Sequence, residues 1–478
     1  MANKKFYLSE MHLFQRNNAF FVFMPCNLHF FEVDHESYKN LCRLQKEFGC
    51  HRPLEAFDSE YLDAGLVYEA DEPIQDELRT HFESLQATMD GSTFSAPITS
   101  VVLQIANDCN LNCIYCYGDG GSYGRKKELM SLETAKHAID FMVNNSKDIK
   151  ELYVVFFGGE PLINFEVVKE TFNYCKNIEK KNDKKFRFSM TTNGTILNDE
   201  IYHFIKDNKI SVMISVDGGK EVQNKHRCYC DGRGSFEDVQ KNIARFKEAR
   251  GGFLTARATV CSTDVRFKQI KDDLLDMGFT NVVTSMVDTE EDSPLFIGGD
   301  YTQRVLEQYG ILADDYVEKI MSHSSNGHSL FSELLNKVYF KKMKIRGCNA
   351  GTNGIAVGTD GNIYPCHRFM GMPDYIIGSL ENGIDNESCN RYREATVLTK
   401  DGCKDCWARY ICSGGCAHTS VVHGGDVNHA PSCYCDIYRG LYEIVLYTYW
   451  RLKEWDDNYF RKSLEKADKL MHTLPPQE

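Results

Sequence analysis

The chain has 478 residues, 42% of them hydrophobic, enough to bury a large core divided over roughly two to four domains. Its formal charge of −13 argues against a nucleic-acid binder that tracks phosphates with a basic face, and favours a peptide or small-molecule substrate. No run of eighteen uncharged apolar residues occurs and the opening MANKKF is too polar for a signal peptide, so neither membrane insertion nor secretion is indicated and a cytoplasmic protein is expected.

Residues 18–34 (NAFFVFMPCNLHFFEVD) read as two apolar strands around a Pro-Cys-Asn turn, and HESYKNLCRLQKEF after them has a helical pattern. This small module, residues 1–90, ends in a polar linker at residues 86–97 (QATMDGSTFSAP). From Val101 the pattern becomes strand then helix six times, with strands near VVLQIA, LYVVFF, FRFSM, SVMISV, LTARATV and NVVTSM. Such alternation implies an α/β fold, a partial (β/α)6 barrel over residues 98–290 whose strand C-terminal ends carry the chemistry. Residues 291–345 read as a mostly helical bridge. Residues 346–440 are loop-rich and glycine-rich, and an amphipathic helix over about 437–471 closes the chain, so that 441–478 is read as a C-terminal helix.

Nineteen cysteines need an explanation, because a reducing cytosol disfavours a disulfide framework and leaves metal ligation as the usual alternative. Three fall between Cys109 and Cys116, and eight crowd between Cys366 and Cys435, just after Cys348. Cys109, Cys113 and Cys116 form Cys-x3-Cys-x2-Cys directly after the first barrel strand. A four-iron cluster wants a terminal ligand on each iron, so three thiolates leave one iron open to a cofactor. A zinc site, which usually takes four ligands, and three structural thiols are the competing readings.

This spacing, with Tyr115 before the third cysteine, resembles the signature of the radical S-adenosylmethionine superfamily. The resemblance implies a [4Fe–4S] cluster on Cys109, Cys113 and Cys116 as the catalytic centre, with S-adenosylmethionine as its ligand. It also places Gly158, Gly159, Glu160 and Pro161 (FFGGEP) at the methionine amino group, and Thr192, Asn193 (TTNG), Ser215 and Asp217 (ISVDG) near the ribose and methionine. The glycines are expected to let backbone approach that ligand. Arg227 is placed to clamp the methionine carboxylate, against the reading of a surface arginine. Tyr115 is placed beside the adenine, against ordinary core packing.

The later cysteines read Cys348-x12-Gly361-x4-Cys366, then Cys403-x2-Cys406-x5-Cys412-x3-Cys416, then Cys435. This order resembles the SPASM domain of radical peptide maturases, with zinc as the competing reading. By that resemblance Cys403, Cys406, Cys412 and Cys435 hold one auxiliary cluster and Cys348, Cys366 and Cys416 another, making three [4Fe–4S] clusters in all. Sulfatase maturases have a further cysteine six residues after the first, where this chain has Gly354. The fourth ligand is then Cys433, or the iron is open to a substrate thiolate. They also have an Asp after the Gly-x4-Cys cysteine, where this chain has His367, which counts against formylglycine formation.

The N-terminal strands and helix resemble, loosely, the winged-helix module that binds leader peptides by strand addition, with a plain structural hairpin as the alternative. FFGGEPLINF, YPCHRFMG and CWARYICSGGC resemble segments of thioether-forming maturases of six-cysteine peptides. These resemblances together imply an oxidoreductase that uses a 5′-deoxyadenosyl radical to join cysteine sulfur to carbon in a ribosomally made precursor peptide. Its partners would be that peptide with its leader and an electron donor such as flavodoxin or ferredoxin, with no nucleic acid and no membrane. The alternatives are carbon–carbon cross-linking or formylglycine formation, and a non-catalytic iron–sulfur or zinc protein that binds peptide. Cys228 and Cys230 receive no role.

Overall fold

The computed structural model describes residues 5–73, 79–80, 96–324 and 328–472. The linker expected at 86–97 lies outside them except for its last two residues. At the N-terminus are β1 (Phe6–Leu8), β2 (His12–Arg16), β3 (Ala19–Met24), β4 (His29–Val33), helix α1 (His35–Glu47) and β5 (Val67–Glu69). The hairpin read around Pro25 is β3–β4, and β2 adds to it to give an antiparallel three-stranded sheet, while β1 pairs with β5. Helix α1 starts where the Asp34 carboxylate accepts from the backbone N–H of Glu36 and Ser37, and it buries Leu41 and Leu44.

The barrel is built from β6 (Ser100–Ala106), β8 (Glu151–Gly158), β9 (Lys185–Thr192), β10 (Ser211–Ser215), β12 (Thr255–Val260) and β13 (Asn281–Met286), each pairing in parallel with the next. All six lie where the apolar runs place them. A short pair, β7 (Leu111–Cys113) and β11 (Arg227–Tyr229), closes over one end. The connecting helices include α2 (Leu132–Asn144), α3 (Phe165–Lys181), α4 (Asp199–Asn208), α5 (Phe236–Ala249) and α6 (Phe267–Asp276).

Period-two burial separates the two faces of the sheet. On β8, Leu152, Val154 and Phe156 are fully buried against the helix layer, whereas Tyr153, Val155 and Phe157 on the opposite face are half-buried. On β9 the same holds for Phe186, Phe188 and Met190 against Ser189 and Thr191, with Phe172 of α3 packed on Phe188. The barrel's inner face is therefore reachable.

The sheet continues where sequence analysis expects loops. After helices α7 (Thr302–Met321) and α8 (Ser329–Tyr339), strand β14 (Gly354–Val357) pairs in parallel with β6, followed by antiparallel β15 (Asn362–Tyr364), β16 (Gly378–Ser379) and β17 (Gly383–Ile384). Ten strands thus form one mixed sheet. These strands hold two to four residues each, too few for a readable period. Helix α9 (Ala417–Gly424) precedes α10 (Ser432–His472), which carries Cys433 and Cys435 in its first turn and is divided at Asp456 by a residue with extended backbone. The N-terminal sheet docks on this part of the chain: His12 stacks on Trp407 with ring centroids 3.8 Å apart, Phe21 meets Tyr447 and Trp450, and Glu10 pairs with Arg409. Among the described residues no helix is long and apolar enough to cross a membrane.

Candidate active site

The end of β6 leads into Asn107–Asn110, and the first cysteine cluster begins there. Backbone N–H of Leu111 approaches the Cys109 sulfur at 3.4 Å and Asn193 Nδ2 approaches it at 3.8 Å. Cys113 ends β7, and a turn closed by the Cys116 N–H on the Cys113 carbonyl (3.1 Å) brings the third sulfur round. All three are free thiols. Burial pushes the Cys109 thiol up to about 12 and that of Cys113 to about 11; Glu160 adds to the first, while Arg227 opposes both.

FFGGEP packs against this loop. A side chain on Gly159 would stand 2.1 Å from the Asp108 carbonyl oxygen, and one on Gly158, whose φ is 130°, would stand 2.5 Å from that of Ala106. Gly159 N–H donates to Ala106 and Glu160 N–H to Asp108. These glycines let β8 pack closely on the chain's own cysteine loop. The Glu160 carboxylate is fully buried and accepts from Leu162 N–H (3.0 Å), Thr192 Oγ1 (2.8 Å) and Asn193 N–H (2.7 Å), tying β8 to the end of β9. Pro161 follows in the first turn of the next short helix. Asn193 in turn donates to Asn110 at 2.7 Å.

Arg227 comes to the site by the pairing of β11 with β7, which sets it directly opposite Cys113. Its Nη1 donates to the Tyr115 hydroxyl (2.7 Å), which itself donates to Asp217. The Arg227 side chain is buried, and its Nε has no hydrogen-bond partner among the described residues. Asp217 is also fixed by Thr259 N–H (3.0 Å) and lies 3.5 Å from His226 Nδ1. Ser215 ends β10 in register with Arg257 of β12.

The later cysteines gather in two groups. Burial pushes the Cys403 thiol up to about 12 and the Cys435 thiol to about 11, and Cys403, Cys406, Cys412 and Cys435 lie close enough to repel one another as anions. Cys348 lies beside Cys416, and the guanidinium of Arg368 lies beside both Cys416 and Cys366. Cys433 lies beside Glu291 and His423. His367 packs against Phe157, with ring centroids 4.6 Å apart, and against Tyr117.

Residues 103–264 match the model of the radical SAM superfamily. The chain carries a radical SAM domain. Radical SAM chemistry implies a [4Fe–4S] cluster and S-adenosylmethionine, and the site fits both. Three half-buried thiols on one loop are a donor set that an iron–sulfur cluster can take as thiolates, and the orphaned Arg227 Nε offers a donor to a carboxylate. Over the whole chain, the radical SAM cyclopropyl synthase TigE of Paramaledivibacter caminithermalis is 23% identical across 486 residues, spanning 94% of this chain and 96% of its own. A cysteine-type anaerobic sulfatase-maturating enzyme of Clostridium perfringens is 25% identical over 67% of this chain and 89% of its own. Among solved structures, native anSMEcpe with bound AdoMet superposes with a TM-score of 0.65 at 20% identity, over 75% of this chain and 99% of that one. Streptococcus suis SuiB bound to precursor peptide SuiA gives 0.51 at 15% identity, over 90% and 99%. These likenesses make the radical SAM chain a relative of enzymes that mature peptides or proteins.

Sequence reasoning passed over Arg257, Arg368 and Asp288. Arg257 stands on the inner face of β12 with its guanidinium on Ser285, and a charged residue inside the apolar run LTARATV was a readable signal for it. Asp288 accepts from Thr419 (2.7 Å) and faces Arg368 (2.8 Å), His418 and His423; against the effect of burial, His418 and Arg368 hold its carboxyl well below the usual range. Its partners lie 80 to 135 residues on, so no local pattern announces it.

Proposed function

We propose that this radical SAM enzyme forms thioether cross-links in a cysteine-containing precursor peptide. When bound, the first cluster and S-adenosylmethionine supply a 5′-deoxyadenosyl radical that takes hydrogen from carbon. Cys109, Cys113 and Cys116 would hold that cluster, and Arg227 would hold the methionine carboxylate. Thr192 and Asn193, fixed by Glu160, would border the cofactor together with Ser215, Asp217 and Tyr115. Cys403, Cys406, Cys412 and Cys435 would hold one auxiliary cluster, and Cys348, Cys366 and Cys416 another, in a C-terminal SPASM domain.

The observation that carries the reading is the second auxiliary set. It has three cysteines, Gly354 stands where sulfatase maturases have a fourth, and Cys433 has Glu291 and His423 as neighbours. A set of three leaves a coordination position for the donor cysteine of the peptide, which would be deprotonated on binding. The N-terminal sheet supports a peptide substrate: among the described residues β2 and β4 each pair on one side only, leaving edges to which a leader could add as a strand. SuiB, with its bound precursor peptide, shares the fold.

Anaerobic incubation with a cysteine-containing precursor, S-adenosylmethionine and a reductant tests this. The expected products are 5′-deoxyadenosine and a peptide that has lost a pair of hydrogens per cross-link and whose cysteines no longer alkylate. The full-length match to TigE favours a second reading, carbon–carbon bond formation. A product that loses hydrogen while every cysteine still alkylates would select it. Alanine at Cys109, Cys113 and Cys116 together should abolish cofactor cleavage; undiminished cleavage would overturn the radical assignment.

A further inference from the structure

Beyond the cysteine groups already described, one cluster brings three different metal-ligating side chains together from distant parts of the chain. Glu291 lies in the loop after β13, His423 on α9 and Cys433 in the first turn of α10, and one ligand atom from each lies within 4.8 Å of the other two. His423 Nδ1 faces Glu291 Oε1 at 3.8 Å, close to the edge of about 3.4 Å that ligands near 2.1 Å from a tetrahedral ion would make. Cys433 and Glu291 interact directly.

A second observation points to a cation. The far nitrogen of the same ring, His423 Nε2, stands 3.0 Å from Asp288 Oδ1. A carboxylate can only accept, so the Nε2 proton is directed to Asp288 and the Nδ1 lone pair toward Glu291 and Cys433. Carboxylate, imidazole and metal in line are the usual support of a metal-bound histidine, because the carboxylate fixes the tautomer and the ring plane. Asp288 is anchored by Arg368 and Thr419, and the His423 side chain is only 1% exposed, so the ring is held in that pose. Glu291, by contrast, has a side chain 60% exposed and gives the site its access.

We propose that Glu291, His423 and Cys433 bind one divalent zinc ion, separate from every iron–sulfur cluster, with the fourth position open toward solvent. One nitrogen, one sulfur and one oxygen suit a borderline-soft ion that has no geometric preference of its own. Its ligands come from the loop after the last barrel strand, from the cysteine-rich region and from the terminal helix, so the ion joins all three. It also gives Cys433 a task apart from the Cys348/Cys366/Cys416 group.

The test uses the full chain with its iron–sulfur clusters reconstituted, equilibrated with zinc and desalted. Metal analysis should find about one zinc per chain, falling at least tenfold in Cys433→Ser and in His423→Asn while iron stays at the level of the parent. X-ray absorption at the zinc edge should show a single sulfur among nitrogen and oxygen neighbours. A parent that retains no zinc, zinc undiminished in both variants, a shell of sulfur only, or loss of a cluster's worth of iron in Cys433→Ser would each overturn the proposal. Should one variant fail to fold, Glu291→Gln at the exposed edge provides the same readout, and unchanged zinc retention there would count against the site.

Discussion

At Gly159 the space beside the α-carbon is occupied by the Asp108 carbonyl oxygen, 2.1 Å from where a side-chain carbon would sit. Gly159→Ala should therefore push the loop bearing Cys109 away from the end of β8, at a cost of roughly 1–3 kcal/mol as in other overpacked interiors. The expected outcome is a lower thermal midpoint together with loss of iron from the first cluster; an alanine variant with full iron and parental stability would refute the close packing. His328 supplies a second test at this scale. It is buried beside Thr284, and burial, with Lys271 adding to it, pushes the pKa of its imidazole down to about 3. An unfolded chain takes up a proton there below about pH 6.5, while the folded one stays neutral to about 3, so folding stability falls as pH drops through that window. The loss is up to about 1.4 kcal/mol per pH unit, and His328→Gln removes it. Urea unfolding of parent and variant at pH 7 and pH 5 should show the difference between them shifting in favour of the variant at pH 5. Parallel behaviour would show that His328 titrates normally.

Among the elements, the pairing of β11 with β7 matters most to the site, because it carries Arg227 from beyond Asp217 to a place opposite Cys113. Three residues per strand are too short to read in sequence, which is why Arg227 could be identified only by its distance from a motif. The N-terminal sheet depends on a different contact. Arg409, its side chain 4% exposed, donates from two nitrogens to Glu10, whose side chain is 34% exposed. Removing the acid in Glu10→Ala takes a charged acceptor from a buried guanidinium, so stability should fall by about 1–3 kcal/mol in chemical unfolding. Glu10→Gln, which keeps an acceptor, should lose less. Equal stability of parent and both variants would mean that the docking rests on other contacts, among them the His12–Trp407 and Phe21–Trp450 ring pairs and the His12–Glu443 hydrogen bond.

For the whole molecule, a ten-stranded sheet runs from the last barrel strand through β6 into the cysteine-rich region. The N-terminal sheet sits on that same region, so a leader strand bound at its edge would deliver the following peptide from a fixed point. A precursor cut off from its leader should then be modified at least tenfold more slowly at equal concentration, and adding the leader separately should restore part of the rate. Equal rates with and without the leader would remove the module from substrate recognition. Single-residue patterns were enough to locate the six parallel strands and α1, because period-two and helical burial are written within a few neighbouring residues. They were not enough for β14–β17, for the role of Gly159 as a neighbour of the cysteine loop, or for the Asp288 hub. Each of those depends on groups 50 to 250 residues apart meeting across the sheet, and such meetings are decided by how the layers pack. The chain's composition and spacing determined that three cysteines follow the first of six parallel strands; the folded arrangement alone decided that Cys433 faces His423 and Glu291, because only tertiary packing brings those three side chains together.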